Sequence, residues 1–349
     1  MGRAKQRFPN VSVSTPPSLS AFHELCSQTT SPETYPLASS IQKDMPLYDA
    51  CFLSVSSPAQ TSALQDEWYD ILLHGPGVFP SSRAKQPAAK ATTSPPAAAT
   101  PASGTPSPSH CPADPASFLA YYSSPWLALV CAAHLDSAYR VTTQLNVVKP
   151  GGASQAPHRD YHLGFETTDA VAACPRATHK ASALLTLQGA AFDEGFVAYR
   201  LPEFADYLAT HYVALPLSLG DAVFFSPALF QAAGANALPD LERSANLIQA
   251  SSAFGKTMET VEALPLVEKT WETLREKYGR EGMSREVSAF VAAVAEGYRF
   301  PTNLDRRPPV PGGMALESEQ QLLMRGLEGG WGVGEVVDAL KATKEASGA

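Results

Sequence analysis

The 349-residue chain has no apolar run long enough to cross a bilayer. A spanning helix needs about 20 consecutive, mostly apolar residues, and no hydrophobic segment follows the N-terminus as it does in a secretory signal. We therefore expect no membrane partner and a cytoplasmic location. Arg3, Lys5 and Arg7, with no acidic residue before Glu24, leave an organelle address as the alternative.

The chain also has no excess of basic residues. Its 26 Lys and Arg against 34 Asp and Glu give a formal net charge of -8. Nucleic acids and anionic membranes both bind basic surfaces. We therefore expect no nucleic-acid partner, and a small-molecule substrate fits the charge better.

The cysteines lack the spacing of a thiolate metal site. There are five, and no two stand in a CxxC or CxH pattern: Cys26, Cys51, Cys111, Cys131 and Cys174. Neither a zinc site made of thiolates nor an even disulfide framework is indicated, and a reducing, intracellular setting is expected.

Residues 81–113 are of low complexity and consist mainly of Pro, Ala, Ser and Thr. Such a composition cannot bury enough apolar surface to order itself. We predict a disordered insertion here, between an N-terminal helical and extended segment (1–80) and a core domain (114–256). A helical region (257–349) follows the core.

Two periodicities divide the ordered part of the chain. Apolar residues recur at helical spacing in 63–73, in 114–133 with a break at Pro125, and in four C-terminal segments, 261–278, 286–295, 318–326 and 335–346. Short β-rich runs separated by Gly and Pro occupy 141–148, 182–188, 212–217, 222–225 and 245–251. We therefore predict a mainly β fold with helical flanks, in which the core is a sandwich or barrel.

His158 and Asp160 form the first candidate metal site. In an extended strand, residues two apart project to the same face, so the two side chains could hold one metal. Imidazole and carboxylate together suit iron(II) in a site with two histidines and one carboxylate. On the tripeptide alone, a polar turn with a salt bridge to Arg159 is the simpler interpretation. His162 shares the same face, where lining a pocket is a better interpretation than binding the metal.

The second histidine that such a site needs is missing from its usual place late in the chain, because no histidine follows His211. Arg243, however, opens a β-like run. An arginine there could pair bidentately with the remote carboxylate of 2-oxoglutarate, although an isolated arginine is more often a surface residue.

Four stretches of the chain resemble the phytanoyl-CoA dioxygenase family of iron(II)/2-oxoglutarate oxygenases. They are 143–151 (TQLNVVKPG) leading to 158–165 (HRDYHLGF), 220–230 (GDAVFFSPALF), 234–249 (GANALPDLERSANLIQ) and 297–305 (GYRFPTNLD). The resemblance implies a double-stranded β-helix, a jelly-roll or cupin-like core. It also implies His158 and Asp160 as iron(II) ligands, Arg243 as the 2-oxoglutarate clamp and Gln144 near the cosubstrate. Asn236, in the third stretch, is a possible pocket residue.

The chain departs from that pattern in two places. Gln231 stands where resembling sequences have the second metal-binding histidine, and its amide is a weak, neutral ligand. After the run 182–190, the family's histidine- and acid-containing segment is missing, and the chain passes directly into 191–195. We interpret the chain as a degenerate or truncated member, which is either a diverged paralogue or the product of an incorrectly predicted gene structure.

Three functions follow from these residues. The first is a dioxygenase that uses iron(II) and 2-oxoglutarate to hydroxylate a small organic or acyl substrate. The alternative is an inactive jelly-roll binding protein derived from such an oxygenase. A metal hydrolase that activates water with His158 and Asp160 ranks last, because it leaves Arg243 without a role.

Overall fold

The computed structural model describes most of the chain outside two long segments. The described residues are 19–27, 29–54, 57–82, 105–106, 110–155, 202–215, 217–218, 220–226, 229, 232–253, 261–300, 303–309, 311–312 and 315–348. Contacts group the chain into two compact units. The first unit is Met1–Lys85 with Gly151–Ala237, and the second is Gln86–Pro150 with Leu238–Ala349.

Helices and strands alternate irregularly along the described residues. The helices are α1 Leu19–Cys26, α2 Pro58–Leu73, α3 His110–Ala113, α4 Pro115–Tyr122, α5 Pro125–Leu135, α6 Pro202–His211, α7 Ala263–Glu281, α8 Arg285–Val294, α9 Glu319–Glu328 and α10 Val333–Ser347. The strands are β1 Ser40–Gln42, β2 Met45–Asp49, β3 Val78–Ser82, β4 Thr105–Pro106, β5 Arg140–Val148, β6 Ala222–Phe225 and β7 Arg243–Ser251. A short 3-10 helix, Ala50–Ser54, follows β2.

The prediction of a mainly β fold with a jelly-roll core is wrong. Helix accounts for about 49% of the structure and strand for only 14%. The described residues form two small sheets and no barrel. The physical reason is that helical segments occupy both flanks of the β-rich region and outweigh strands of three to nine residues.

Of the predicted strands, one stays a prediction because its residues are not described, and another is not formed. The run 182–188 lies outside the described residues. In the run 212–217, the described residues carry no strand, and Tyr212 is 74% exposed. The apolar residues that alternate in 212–217 therefore do not form a strand at the positions that the structure describes.

The other local predictions are confirmed with small shifts of their ends. The helix predicted at 63–73 is the C-terminal part of α2, and the one predicted at 114–133, with its break at Pro125, is the pair α4 and α5. The four C-terminal segments are α7 to α10, and the runs 141–148, 222–225 and 245–251 lie in β5, β6 and β7. The insertion predicted at 81–113 lies mostly outside the described residues and stays a prediction.

In the first unit, a four-stranded sheet of order β1-β2-β3-β6 packs on α2. β2 pairs with β3 in parallel, whereas β3 pairs with β6 antiparallel, with Phe79 opposite Phe224. Trp68 of α2 is fully buried and stacks on Phe79, with ring centroids 5.8 Å apart. Ser57 begins α2 through a capping box with Gln60, which satisfies backbone N–H groups that the first turn leaves unpaired.

In the second unit, β5 and β7 form a long antiparallel ribbon, with β4 on the outer edge of β5. Nine residue pairs join the two strands, from Arg140–Ser251 to Val148–Arg243. Helix α8 lies at the centre of the helical part, and Val287 and Phe290 are fully buried there. One face of this ribbon therefore packs against helices, and the ribbon holds two of the candidate site residues.

None of the single helices described here is long and apolar enough to span a membrane. Together, α4 and α5, bent by 49°, pass the same test of length and composition.

Candidate metal and cosubstrate site

The predicted site residues fall into two groups. His158, Asp160, His162 and Gln231 lie outside the described residues. Gln144, Asn236 and Arg243 lie within them. Over the described ranges, no three His, Cys, Asp or Glu side chains are grouped so that they could hold a metal ion. The geometry that bears on the metal ligands is therefore that of the segments which lead to them.

Two of these segments are hydrogen-bonded to each other within the first unit. The N–H of Gly151 donates to the carbonyl of Asn236, and the N–H of Asn236 donates to the carbonyl of Gly152, both at 2.9 Å. The N–H of Gln155 donates to the carbonyl of Ala233, also at 2.9 Å. Residue numbers rise on one segment as they fall on the other, so the two segments run antiparallel.

A side chain completes this pairing. The Oε1 atom of Gln155 accepts a hydrogen bond from the N–H of Ala233 at 3.1 Å. Gln155 precedes His158 by three residues, and Ala233 follows Gln231 by two. The contact thus joins the chain entering one candidate ligand to the chain leaving the other. The sequence analysis did not identify Gln155. The only feature that could have drawn attention to it is that it carries the one amide side chain between Gly152 and His158.

The local sequence explains how the segment 151–155 begins. β5 ends at Val148, and Lys149 and Pro150 lead from it to Gly151. The φ of Gly151, 73°, lies in the left-handed region that favours glycine. A Cβ there would meet nothing within 4 Å, so backbone conformation, not crowding, is the reason for the glycine. Asn236, on the opposite segment, is only 4% exposed.

The β5–β7 ribbon of the second unit carries the two cosubstrate candidates. Arg243 is the first residue of β7, lies opposite Val148 and is exposed. Gln144 lies opposite Leu247, four positions along the ribbon. Because facing positions alternate between the two faces of a sheet, these two positions share one face, and a rise of about 3.3 Å per residue separates them by about 13 Å. The ribbon thus places Gln144 and Arg243 on the same face, with their backbones well separated.

The other face of the ribbon is covered by helices. A small apolar cleft lies there, lined by Phe118, Tyr122, Val141, Thr143, Val261, Leu266 and Ala293. Nearby, the Nδ2 of Asn246 donates to the hydroxyl of Tyr122 at 3.0 Å, and burial raises the pKa of Tyr121 to about 12. Val141 and Thr143 alternate with Gln144 along β5, so this cleft lies on the opposite side from the cosubstrate candidates.

Comparison with protein-family models assigns part of the chain to a dioxygenase class. Residues 112–244, which are less than half of the chain, match the family model of phytanoyl-CoA dioxygenase. The match begins in α3, ends in β7 and contains all seven candidate site residues. Members of the family generally use iron(II) and 2-oxoglutarate and act on small molecules. A search among curated proteins finds no match.

Proposed function

We propose that this protein is an iron(II)- and 2-oxoglutarate-dependent dioxygenase that hydroxylates a small organic or acyl substrate. The observation that carries the proposal is the antiparallel pairing of 151–155 with 233–236 inside a segment of the dioxygenase family. The paired residues 151–155 precede His158 in the sequence, and the paired residues 233–236 follow Gln231.

The proposed metal ligands are His158 and Asp160, with Gln231 as a weak third ligand. One imidazole and one carboxylate fit iron(II), whereas the amide of Gln231 adds no charge to the donor set. The set therefore fits the metal, with less affinity than a second histidine would give.

The proposed cosubstrate residues are Arg243 and Gln144. A guanidinium forms two parallel hydrogen bonds to a carboxylate, which makes Arg243 suited to the remote carboxylate of 2-oxoglutarate. Gln144 occupies the same face of the ribbon and is assigned to the other end of the cosubstrate. His162 and Asn236 are assigned to the wall of the pocket. When bound, the metal and cosubstrate would supply oxidation by dioxygen, in which one oxygen atom enters succinate as 2-oxoglutarate loses carbon dioxide and the other hydroxylates a C–H bond of the substrate.

Anaerobic titration with iron(II) and 2-oxoglutarate tests the proposal, because the chelate has a weak visible charge-transfer band. We expect the band in the unaltered protein and its loss at the same 2-oxoglutarate concentration in Arg243→Ala. Arg306→Ala, which removes another exposed arginine, is the matched control and should keep the band. Absence of the band from the unaltered protein at saturating metal would overturn the proposal.

A second candidate function is the binding of a small dicarboxylic acid without catalysis. Gln231 at the expected histidine position favours it, since this substitution weakens the metal site and leaves Arg243 intact. In that case, isothermal titration should show 2-oxoglutarate binding that depends on Arg243 and does not depend on metal, with no succinate formed.

A further inference from the structure

Two histidines meet where helix α1 contacts helix α6 in the first unit. The ring centroid of His23, in α1, lies 6.2 Å from that of His211, in α6, and the two rings are inclined at 78°. Tyr207, one turn before His211, stacks on the His211 ring at 4.0 Å and meets the His23 ring edge-on at 5.6 Å. Both histidines are exposed, so an ion can reach them from solvent.

A second side chain of α1 also contacts Tyr207. Burial raises the pKa of Tyr207, and the side chain of Cys26, which is hydrogen-bonded to the Tyr207 hydroxyl, raises it further. Cys26 lies three residues after His23, so the two side chains share one face of α1. Contacts between the two helices therefore set the position of His23 relative to His211.

Hydrogen bonds determine which nitrogen of each ring carries the proton. The Ser27 hydroxyl donates to the carbonyl of His23 at 2.7 Å, so its Oγ atom can only accept from the Nδ1 of His23, 3.4 Å away. The Nδ1 of His211 faces the carbonyl of Tyr207 at 3.0 Å and the hydroxyl of Thr210 at 2.8 Å, and that hydroxyl already donates to a backbone carbonyl. A nitrogen that faces only acceptors carries the hydrogen, which leaves the lone pair of each neutral ring on Nε2.

Metal-binding histidines have this arrangement. A ligating imidazole usually donates its second N–H to a backbone carbonyl or a similar acceptor, which fixes the orientation of the ring. Zinc lies about 2.0–2.1 Å from a ligating nitrogen, so two rings on a tetrahedral ion have centroids about 5 Å apart. The separation of His23 and His211 exceeds this by about 1 Å, which small rotations of two exposed side chains can close.

We propose that His23 and His211 bind a transition-metal ion such as zinc(II) through their Nε2 atoms, with water in the remaining positions, and that the ion joins α1 to α6. Imidazole is a ligand that suits zinc, copper and nickel ions. A site with two protein ligands is weaker than a structural zinc site, which has four, so the ion binds reversibly. The site uses none of the residues assigned to the proposed oxygenase and does not depend on that function.

Zinc(II) titration of the full chain tests the site, with amide hydrogen exchange followed in the peptide that contains α1. His23→Ala and His211→Ala each remove one ligand, and His211→Phe removes the nitrogens while it keeps a ring that can stack on Tyr207. His74→Ala, which removes a partly exposed histidine at the end of α2, is the matched control. Circular dichroism without metal checks that each variant keeps its helices.

We expect zinc(II) at ten times its Kd to slow exchange in α1 about tenfold in the unaltered protein, because the ion binds only the docked arrangement of the two helices. His23→Ala, His211→Ala and His211→Phe should all lose this effect, and His74→Ala should keep it. The two changes at His211 are the most informative, since this residue lies outside α1 and acts on the zinc-dependent exchange of α1 through the shared ion.

Three results would overturn the site. They are the absence of zinc-dependent slowing in the unaltered protein, slowing that persists in His211→Phe, and slowing that is lost to the same extent in His74→Ala. The test of the proposed oxygenase reads the iron(II) and 2-oxoglutarate band and its dependence on Arg243. Failure of either proposal therefore leaves the other unchanged.

Discussion

At the scale of single residues, Glu67 shows how burial and hydrogen bonding oppose each other in the first unit. Burial raises the pKa of Glu67, while the hydrogen bonds from Tyr48 and Leu37 partly lower it. The Tyr48 hydroxyl donates at 2.7 Å and the Leu37 N–H at 2.9 Å. Because the folded state favours the protonated carboxyl, this group stabilises the fold most at low pH, and the contribution is lost as the pH rises through the folded-state pKa.

We therefore expect Glu67→Gln to leave the free energy of unfolding at pH 7 unchanged or to raise it by no more than about 1 kcal/mol, since a half-exposed carboxyl is screened. The amide can still accept from Leu37 and donate to the Tyr48 hydroxyl. Denaturant unfolding between pH 4.5 and pH 8 is the measurement, and the decline of stability with pH should be smaller in the variant. Asp66→Asn, on the exposed side of α2, is the control. A variant less stable at pH 7 with an unaltered pH profile would contradict this account of Glu67.

Gln231 gives the second prediction at this scale. Replacing its amide by an imidazole adds a better ligand for a borderline metal such as iron(II). Gln231→His should therefore tighten iron(II) binding about tenfold or more and raise 2-oxoglutarate turnover. Anaerobic metal titration and succinate release measure the two effects, with Gln231→Ala as the control that should show no gain. Equal affinity in Gln231→His and the unaltered protein would mean that residue 231 does not face the metal.

The candidate site can be predicted from the sequence only in part. His158, Asp160 and Arg243 stand in stretches that resemble a known family, so their chemistry can be named from the chain alone. Gln155 could not be named in that way, because its role depends on contact with a residue far away in the sequence. The local sequence around Gln155 contains no feature that identifies Ala233 as its partner.

At the scale of secondary-structure elements, the contact between α7 and α9 depends on a glycine. Trp271 of α7 is fully buried, and its Nε1 donates to the carbonyl of Trp331 at 2.8 Å. A Cβ on Gly326 of α9 would lie 3.0 Å from the ring of Trp331 and 3.2 Å from that of Trp271. The absence of a side chain at Gly326 therefore allows the two rings to pack on the helix.

Gly326→Val should lower the free energy of unfolding by about 1–3 kcal/mol, because the branched side chain overfills this contact. Gly334→Val in α10 is the matched control, since a Cβ there meets nothing within 4 Å. Its effect should stay within about 0.5 kcal/mol. Chemical denaturation of both variants measures the difference, and equal stabilities would show that the tryptophan rings move aside freely.

Helices were easier to predict than strands for a physical reason. An amphipathic helix makes its backbone hydrogen bonds within one segment, so the pattern of α7 or α8 is sufficient evidence for it. A strand needs a partner, and the alternation in 212–217 does not reveal whether one is present. Val213 and Leu217 are 44% and 53% exposed, so these apolar side chains are not buried as they would be in a core strand.

At the scale of the whole molecule, the fold class could not be derived from the order of local patterns. Each compact unit combines two stretches that are far apart in the chain, and Phe79 of β3 pairs with Phe224 of β6. Such pairings are absent from any local window of sequence. The family resemblance correctly indicated the class of the segment 112–244, but the helices on both flanks outweigh the strands in the described residues.

Ligand-linked stability tests the proposed function on the intact molecule. A ligand that binds only the folded chain stabilises it by about 2.7 kcal/mol at 100 times its Kd, and in a chain of this size each kcal/mol raises Tm by roughly 1–2 °C. We expect manganese(II) and 2-oxoglutarate together to raise Tm by more than the sum of their separate effects, because the keto acid chelates the bound metal. Thermal unfolding under anaerobic conditions is the measurement.

Arg243→Ala should keep the rise in Tm caused by manganese(II) and lose the additional rise caused by 2-oxoglutarate. Asp160→Asn should lose both, since it removes the charged ligand of the proposed metal site. Metal-independent stabilisation by 2-oxoglutarate that disappears in Arg243→Ala would favour the non-catalytic binding protein. Stabilisation that persists in both variants would place the ligands elsewhere on the molecule, and the proposed site would then be wrong.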